Sequence, residues 1–318
     1  MTKPTRSRQT HNTALPREAA KHPQSKVSQR ANTRDKTASQ SEPKHFSRAS
    51  ATRSNKPGNH DAINKVSRAT LKEHRLHEAK VQGENACRVC FKQRPQAVIK
   101  MYLDADMAKK FADVMKYLAA NKRAYHIVDS AELEKIAGSE HHGGVLFVVK
   151  RKPEMSVAAY LAANKHLHQD CLLALDGVGN PHNLGAIARS CAHFGIKGII
   201  MTQPHLLQSG AAARTAEGGI EFIEGLSCEQ LPSALQLCKQ AGYSLVTTSS
   251  HAGGSLYQSK LGHKVVVVFG EEMDGVSPQV AKSTDVALQI PGSGQVESLN
   301  VSVAASLILG EWYRQQHA

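Results

Sequence analysis

Polar side chains able to do chemistry gather at three places in this 318-residue chain, each just after an apolar run. The densest is Ile290-Pro-Gly-Ser-Gly-Gln-Val-Glu-Ser-Leu-Asn-Val301. It opens on Pro291, Gly292 and Gly294, then presents Glu297, Ser298 and Asn300 before an almost wholly apolar segment to Leu309. Glycine lets backbone amides approach a ligand closely. Hydroxyl, amide and carboxylate groups beside such a loop could bind and orient a polar substrate. The second place, Phe269-Gly-Glu-Glu-Met-Asp-Gly275, holds Glu271, Glu272 and Asp274 in one turn. Three carboxylates without a histidine are weak support for a metal. The third, Asp176-Gly-Val-Gly-Asn-Pro-His-Asn183, is a glycine-rich turn. A dinucleotide fingerprint needs a third glycine and an acid at the end of the next strand. Here His182 takes the glycine's place and the next strand ends Met201-Thr-Gln, so that reading fails twice.

The elements around these residues alternate. Strands are expected at Cys171–Leu175, Gly198–Met201, Ile220–Ile223, Ser244–Thr247, Val265–Phe269 and Val286–Ile290. Helices are expected near Leu184–Phe194, Glu229–Ala241 and Leu299–Gln315. Val265-Val-Val-Val-Phe269 is continuously apolar, as in a parallel strand buried on both faces. The pattern predicts an α/β fold with a largely parallel sheet covered by helices, and in such folds ligands bind at strand ends. Asn183 suits the N-cap of the helix beginning at Leu184. In that helix Arg189 lies off the apolar stripe Leu184, Ile187, Ala188, Cys191 and Phe194, which by itself reads as a solvated side chain. The helix from Leu299 to Leu309 is apolar nearly all round. A surface helix shows a stripe, so this one must be covered on two sides, which fits the sheet on one side and a partner subunit on the other.

Ahead of this lies a smaller unit. Helices are expected at Ala86–Lys92, Ala105–Ala120 and Ser130–Ile136, and strands at Ala97–Leu103, Ala124–Val128 and Val145–Val149. Residues 151–169 read as a linker with a helical piece, Val157–Ala163. Cys87-Arg-Val-Cys90 is a lone pair of thiols with no second pair nearby, so a helix carrying two thiols is expected rather than zinc. His141-His-Gly-Gly144 reads as a loop.

The three polar segments, taken together, resemble the three motifs of the SpoU/TrmH family of RNA ribose 2′-O-methyltransferases, within the SPOUT class. Asn183-Leu-Gly-Ala-Ile-Ala-Arg189 is similar to the first motif, Phe269–Gly275 to the second and Ile290–Val301 to the third, in the family's order. The resemblance covers roughly residue 170 to the C-terminus; a weaker one, to the family's RNA-binding domain, covers about 84–150 and likens His141-His-Gly-Gly144 to its His-x-Gly turn, which implies RNA contact there. It implies a SPOUT-type sheet whose C-terminal segment forms a deep trefoil knot, where ordinary folds avoid knots. It implies a preceding domain resembling ribosomal protein L30e, a homodimer, and S-adenosylmethionine as methyl donor. It places Asn183, Arg189, Glu271, Ser298 and Asn300 at the catalytic centre. The donor pocket would be formed by Thr248, Ser249, Gly270, Gly275, Ile290, Gly294 and Leu299. The family's matching arginine is proposed to take the hydroxyl proton, yet a guanidinium ordinarily keeps its own. Arg189 is therefore either a base in a strongly perturbing site, or a group that orients the hydroxyl and stabilises developing oxyanion charge. Gly292 stands where the family often has methionine.

Charge is unevenly spread. Residues 1–80 hold 18 of the 40 Lys and Arg but 6 of the 27 Asp and Glu, so +12 of the net +13. They contain no Trp or Tyr and one Phe, Phe46. Such a segment buries too little apolar area to offset ordering entropy and reads as a disordered basic tail. A short basic helix at 63–80 is the one element expected in it. Lys and Arg suffice for phosphate contacts, so RNA is the expected partner, with a plain solvated tail as the alternative. No apolar run is long enough to span a membrane, no secretory signal is visible, and six scattered cysteines suggest a reducing compartment, hence the cytoplasm. Two functions are open: an RNA methyltransferase, or a non-catalytic RNA-binding or ribosome-assembly protein that retains the fold.

Overall fold

The structure, a computed structural model, describes residues 77–249, 253–271 and 274–318. The expected tail up to residue 76, with most of its expected basic helix, lies outside them. The expected tail boundary at residue 80 is corrected by the first strand, β1 (Glu78–Gln82). Ala79 and Val81 point inward, and the strand pairs antiparallel with β4 (Val145–Lys150), Glu78 opposite Lys150 and Gln82 opposite Leu146.

Between β1 and β4 lie α1 (Glu84–Gln93), β2 (Val98–Leu103), α2 (Ala105–Lys110), α3 (Ala112–Ala120), β3 (Ala124–Ile127) and α4 (Ser130–Ala137). They form a four-stranded sheet ordered β1-β4-β2-β3. Asp104 and Asp129 cap α2 and α4 by accepting from the amides of Met107 and Glu132. The single helix expected at 105–120 is broken at Phe111, whose ring is fully buried edge-on against Phe147 with centroids 6.0 Å apart. Burial of that ring outweighs helical continuity.

The expected linker belongs to the larger sheet. Its β5 (Met155–Ser156) pairs with β8 (Glu224–Ser227), and α5 (Val157–Ala163) buries Val157 and Tyr160. There follow β6 (Asp170–Leu175), α6 (Pro181–His193), β7 (Gly198–Met201), α7 (Gly210–Thr215), β8, α8 (Leu231–Gln240), β9 (Ser244–Thr248), β10 (Gly254–Ser255), β11 (Lys264–Phe269), α9 (Pro278–Ala281), β12 (Val286–Gln289) and α10 (Val301–His317). The strand order is β10-β12-β9-β11-β6-β7-β8-β5, and every ladder of this sheet among the described residues is parallel. Leu173, Leu175, Val265, Val267 and Phe269 pack with Leu184, Ile187 and Ile308 of α6 and α10. Leu172, Ala174, Val266 and Val268 pack with Tyr160, Leu231 and Leu235 of α5 and α8. Burial on both faces is why these strands read as unbroken apolar runs.

The strand expected at Ile220–Ile223 is instead a 3-10 turn, Gly219–Phe222, and β8 begins at Glu224. Ile220 and Ile223 are both buried while Glu221 pairs with Arg94. A spacing of three shares one side in a 3-10 turn, whereas a strand would send those two isoleucines to opposite faces.

At the start of β6, buried Asp170 accepts from the hydroxyl of Tyr243 at 2.5 Å and from that of Tyr160 at 3.2 Å. Burial pushes this carboxyl upward in pKa, and the two hydroxyl bonds oppose the shift. Tyr243→Phe leaves a buried carboxyl short of one donor and should lower stability by about 1–3 kcal/mol. An unchanged urea midpoint would contradict this.

Candidate functional site

Three of the predicted loops leave neighbouring strands. β12, β9 and β11 lie side by side and parallel, so the segments after Gln289, Thr248 and Phe269 emerge at one edge of the sheet. Leu288 stands opposite Thr248, and the Ser249 amide donates to the Leu288 carbonyl at 2.9 Å. The loop after β6 joins the group through Asp176, which accepts from the Ser277 amide at 2.8 Å. A side chain on Gly177 would lie 3.5 Å from the Glu271 carboxylate, so Glu271 stands beside the turn that leads into α6.

Asn180, not Asn183, caps that helix. Its side chain accepts from the amides of His182 and Asn183, with Pro181 at the first helical position. An asparagine followed by proline is the signal that marks this start. Asn183 is thereby released for a long-range contact: its Oδ1 accepts from Nδ2 of Asn300 at 3.0 Å, across 117 residues. Asn300 caps α10, its own Oδ1 accepting from the Ser302 amide at 2.9 Å. Two turns further on, Ser190 and Ser306 share a hydrogen bond of 2.7 Å. Gly185, in the same motif, is required by packing: a Cβ there would lie 2.5 Å from the Ala212 carbonyl oxygen of α7.

The structure joins Asn183 to Asn300 and sets Glu271 beside the Gly177 turn that precedes α6. Arg189 and Ser298 are exposed and make no hydrogen bond or ion pair among the described residues. Of the expected pocket residues, Ile290 is half-buried against the core and Leu299 is 44% exposed. Thr248 Oγ1 donates to the Val268 carbonyl at 3.4 Å. Its neighbour Thr247 is buried at the end of β9, and its hydroxyl has no partner among the described residues. A Cβ on Gly270 would lie 2.0 Å from the carbonyl carbon of Gly275. A side chain at Gly270 would therefore meet the protein's own loop before any ligand.

Cys87 and Cys90 are buried and free; burial pushes the Cys87 thiol well up, and burial with the nearby Glu221 carboxylate pushes Cys90 to about 12. No group of three His, Cys, Asp or Glu among the described residues is placed to hold a metal. His142, expected in an RNA-contacting loop, is buried, and its Nδ1 accepts from the Gly144 amide at 3.1 Å, while His141 is exposed. Helix α10 buries Val301, Ala305, Ile308, Leu309 and Trp312. Val303 and Leu307 are 47% and 38% exposed and, with Leu299, form an apolar stripe that the described residues leave uncovered.

The family model described as the SpoU rRNA methylase family matches residues 170–310. The model for the substrate-binding domain of RNA 2′-O ribose methyltransferases matches residues 80–155. The Escherichia coli O157:H7 protein named uncharacterized tRNA/rRNA methyltransferase YfiF is 43% identical over 248 residues, 78% of this chain and 71% of that one. The 23S rRNA (guanosine-2′-O-)-methyltransferase RlmB of Pectobacterium atrosepticum is 29% identical over 238 residues, 74% of this chain and 98% of its own. Among solved structures, the AdoMet-bound rRNA methyltransferase of Sinorhizobium meliloti superposes with a TM-score of 0.63 at 19% identity, covering 82% of this chain and 97% of that one. At that identity it speaks for the fold alone.

Proposed function

The chain belongs to the SpoU family of tRNA/rRNA methyltransferases, and we propose that it transfers a methyl group from S-adenosylmethionine to a ribose 2′-hydroxyl of tRNA or rRNA. The observation that carries the reading is the hydrogen bond from Asn300 to Asn183, which ties the first polar segment to the third beside converging strand ends. The relatives RlmB and YfiF, named for methylation of RNA, support it.

The donor's sulfonium supplies an electrophilic methyl carbon. The residues present suit such a ligand. Ile290 and Leu299 offer apolar surface for an adenine ring. Thr248, Ser249 and the backbones of Gly270, Gly275 and Gly294 line the strand ends. The buried, unpartnered hydroxyl of Thr247 at the foot of those loops is a polar group awaiting a partner. On the RNA side, Asn183 and Asn300 form a hydrogen-bonded amide pair, with Ser298 two residues before Asn300 and Glu271 beside the Gly177 turn. Arg189 is exposed to solvent, and we assign it to orienting the 2′-hydroxyl and stabilising charge on its oxygen, since a guanidinium donates and does not accept. Positioning of the two substrates for in-line displacement would supply much of the rate.

The same proposal includes a homodimer, in which a second copy covers the Leu299, Val303 and Leu307 stripe. It also includes a trefoil-knotted C-terminal segment, an L30e-like RNA-binding unit and a cytoplasmic location. No helix among the described residues is long and apolar enough to cross a membrane.

Calorimetric titration of the full chain with S-adenosylmethionine tests the donor site. Saturable binding at one site per chain is expected. No heat of binding would remove the enzymatic reading and leave a non-catalytic RNA-binding or ribosome-assembly protein.

Residues 1–76 carry 17 Lys and Arg against 5 Asp and Glu. We propose them as an RNA handle. Deletion should stop at residue 76, because β1 begins at Glu78. The truncated chain should bind RNA more weakly and with a flatter salt dependence, each lost phosphate contact removing about 0.9 from the log–log slope for duplex or about 0.7 for single strands. Donor binding should not change. Equal slopes with and without the tail would leave it a solvated segment.

A further inference from the structure

Gly218 and Gly219 are wedged between the small sheet unit and helix α6. A Cβ on Gly218 would lie 2.7 Å from Cβ of Val89 in α1, and one on Gly219 would lie 3.0 Å from Cα of Arg189 and 3.2 Å from the Ala188 carbonyl oxygen. Gly218 also has a φ of 89°, where side chains are strained. Adjacent residues of one turn thus touch the RNA-binding unit on one side and the backbone of Arg189 on the other.

The turn is anchored. The Glu221 side chain is 4% exposed and accepts from both Nε and Nη2 of Arg94, at 2.5 and 3.0 Å. Arg94, which follows α1, also donates to the Lys150 carbonyl at the end of β4. Asn85 in α1 donates to the Glu217 carboxylate at 2.8 Å. A two-pronged guanidinium–carboxylate pair fixes an angle as well as a distance. Its net contribution to stability is small or even negative when buried, so geometry is the property it best explains.

We propose that the 217–221 turn, with Arg94 and Glu221 as positioning residues, is a strut that holds the RNA-binding unit in fixed register with Arg189. The inference rests on the functional reading above, in which RNA held by the small unit must present a ribose to Arg189. Register matters because a misplacement of about 1 Å can lower a rate roughly 10²-fold.

The test uses the full chain with Arg94→Lys, which keeps the charge but loses the fork, and Gly219→Ala, which pushes on Arg189 directly. Total RNA from cells lacking this chain is the probe. Donor affinity and RNA affinity should stay within a few-fold of the parent, while single-turnover methyl transfer falls about 10²-fold. A parental rate in both variants overturns the strut. So does a parallel fall in rate, donor affinity and RNA affinity, which marks a merely structural junction. Hydrogen exchange supplies a readout independent of catalysis. RNA should slow exchange at residues 217–223 and 185–193 in the parent but not in Arg94→Lys. Equal protection in both overturns the strut even if the parent transfers no methyl group, an outcome that would separately sink the enzymatic reading.

Discussion

Arg189→Ala is expected to lower methyl transfer about 10²–10³-fold, the usual cost of losing one donor to a developing oxyanion, with S-adenosylmethionine affinity within a few-fold of the parent. The separation follows from position. Arg189 lies in α6, between β6 and β7, whereas the proposed donor loops follow β9, β11 and β12. Its side chain is exposed and unbonded among the described residues, so its removal should not disturb the fold. Arg189→Lys restores charge without the planar fork and should recover only part of the rate. Near-parental turnover by the alanine variant would remove Arg189 from the reaction.

Gly270→Ala should have the other large effect, on the donor site and on stability together. A single methyl at this position would sit 2.0 Å from the carbonyl carbon of Gly275 and 2.1 Å from its oxygen, both backbone atoms that cannot swing aside. The loop would have to be rebuilt, at a cost of roughly 1–3 kcal/mol for overpacking, and donor binding should be lost. Gly292→Ala is the matched control: nothing lies within 4 Å of its added methyl and its φ is unrestricted. That variant should bind the donor within a few-fold of the parent. Calorimetry and thermal melts on the two would check the contrast, and equal behaviour would contradict the loop's assigned role.

The pair of glycines also shows what the sequence could and could not tell. That 270 and 292 both end strands in polar loops is legible from alternation and punctuation. Which of them is packed against backbone is decided by tertiary approach, which no local pattern records. The buried strand Val265–Phe269 could be read because a parallel strand is apolar on both faces. The 3-10 turn at Gly219–Phe222 looked like a strand because Ile220 and Ile223 are apolar, and only the Arg94 partner 127 residues away explains why Glu221 turns as it does. The true cap of α6 is legible in the sequence, since Asn180-Pro181 is a stronger helix start than Asn183. Strand β1 is short, five residues at the edge of a basic segment, and its Ala79 and Val81 alternate too briefly to stand out. The resemblance puts Asn183 and Asn300 at one centre without naming their mutual bond, and spacing and periodicity contain no instruction to join residues 117 apart.

Mapping 2′-O-methyl groups in total RNA bears most directly on the central claim. RNA would be compared from cells carrying the chain, cells lacking it, and cells carrying only Arg189→Ala. The account predicts at least one ribose in tRNA or rRNA that is methylated in the first and unmethylated in the other two. Identical maps in all three, with the protein present and folded, would contradict it.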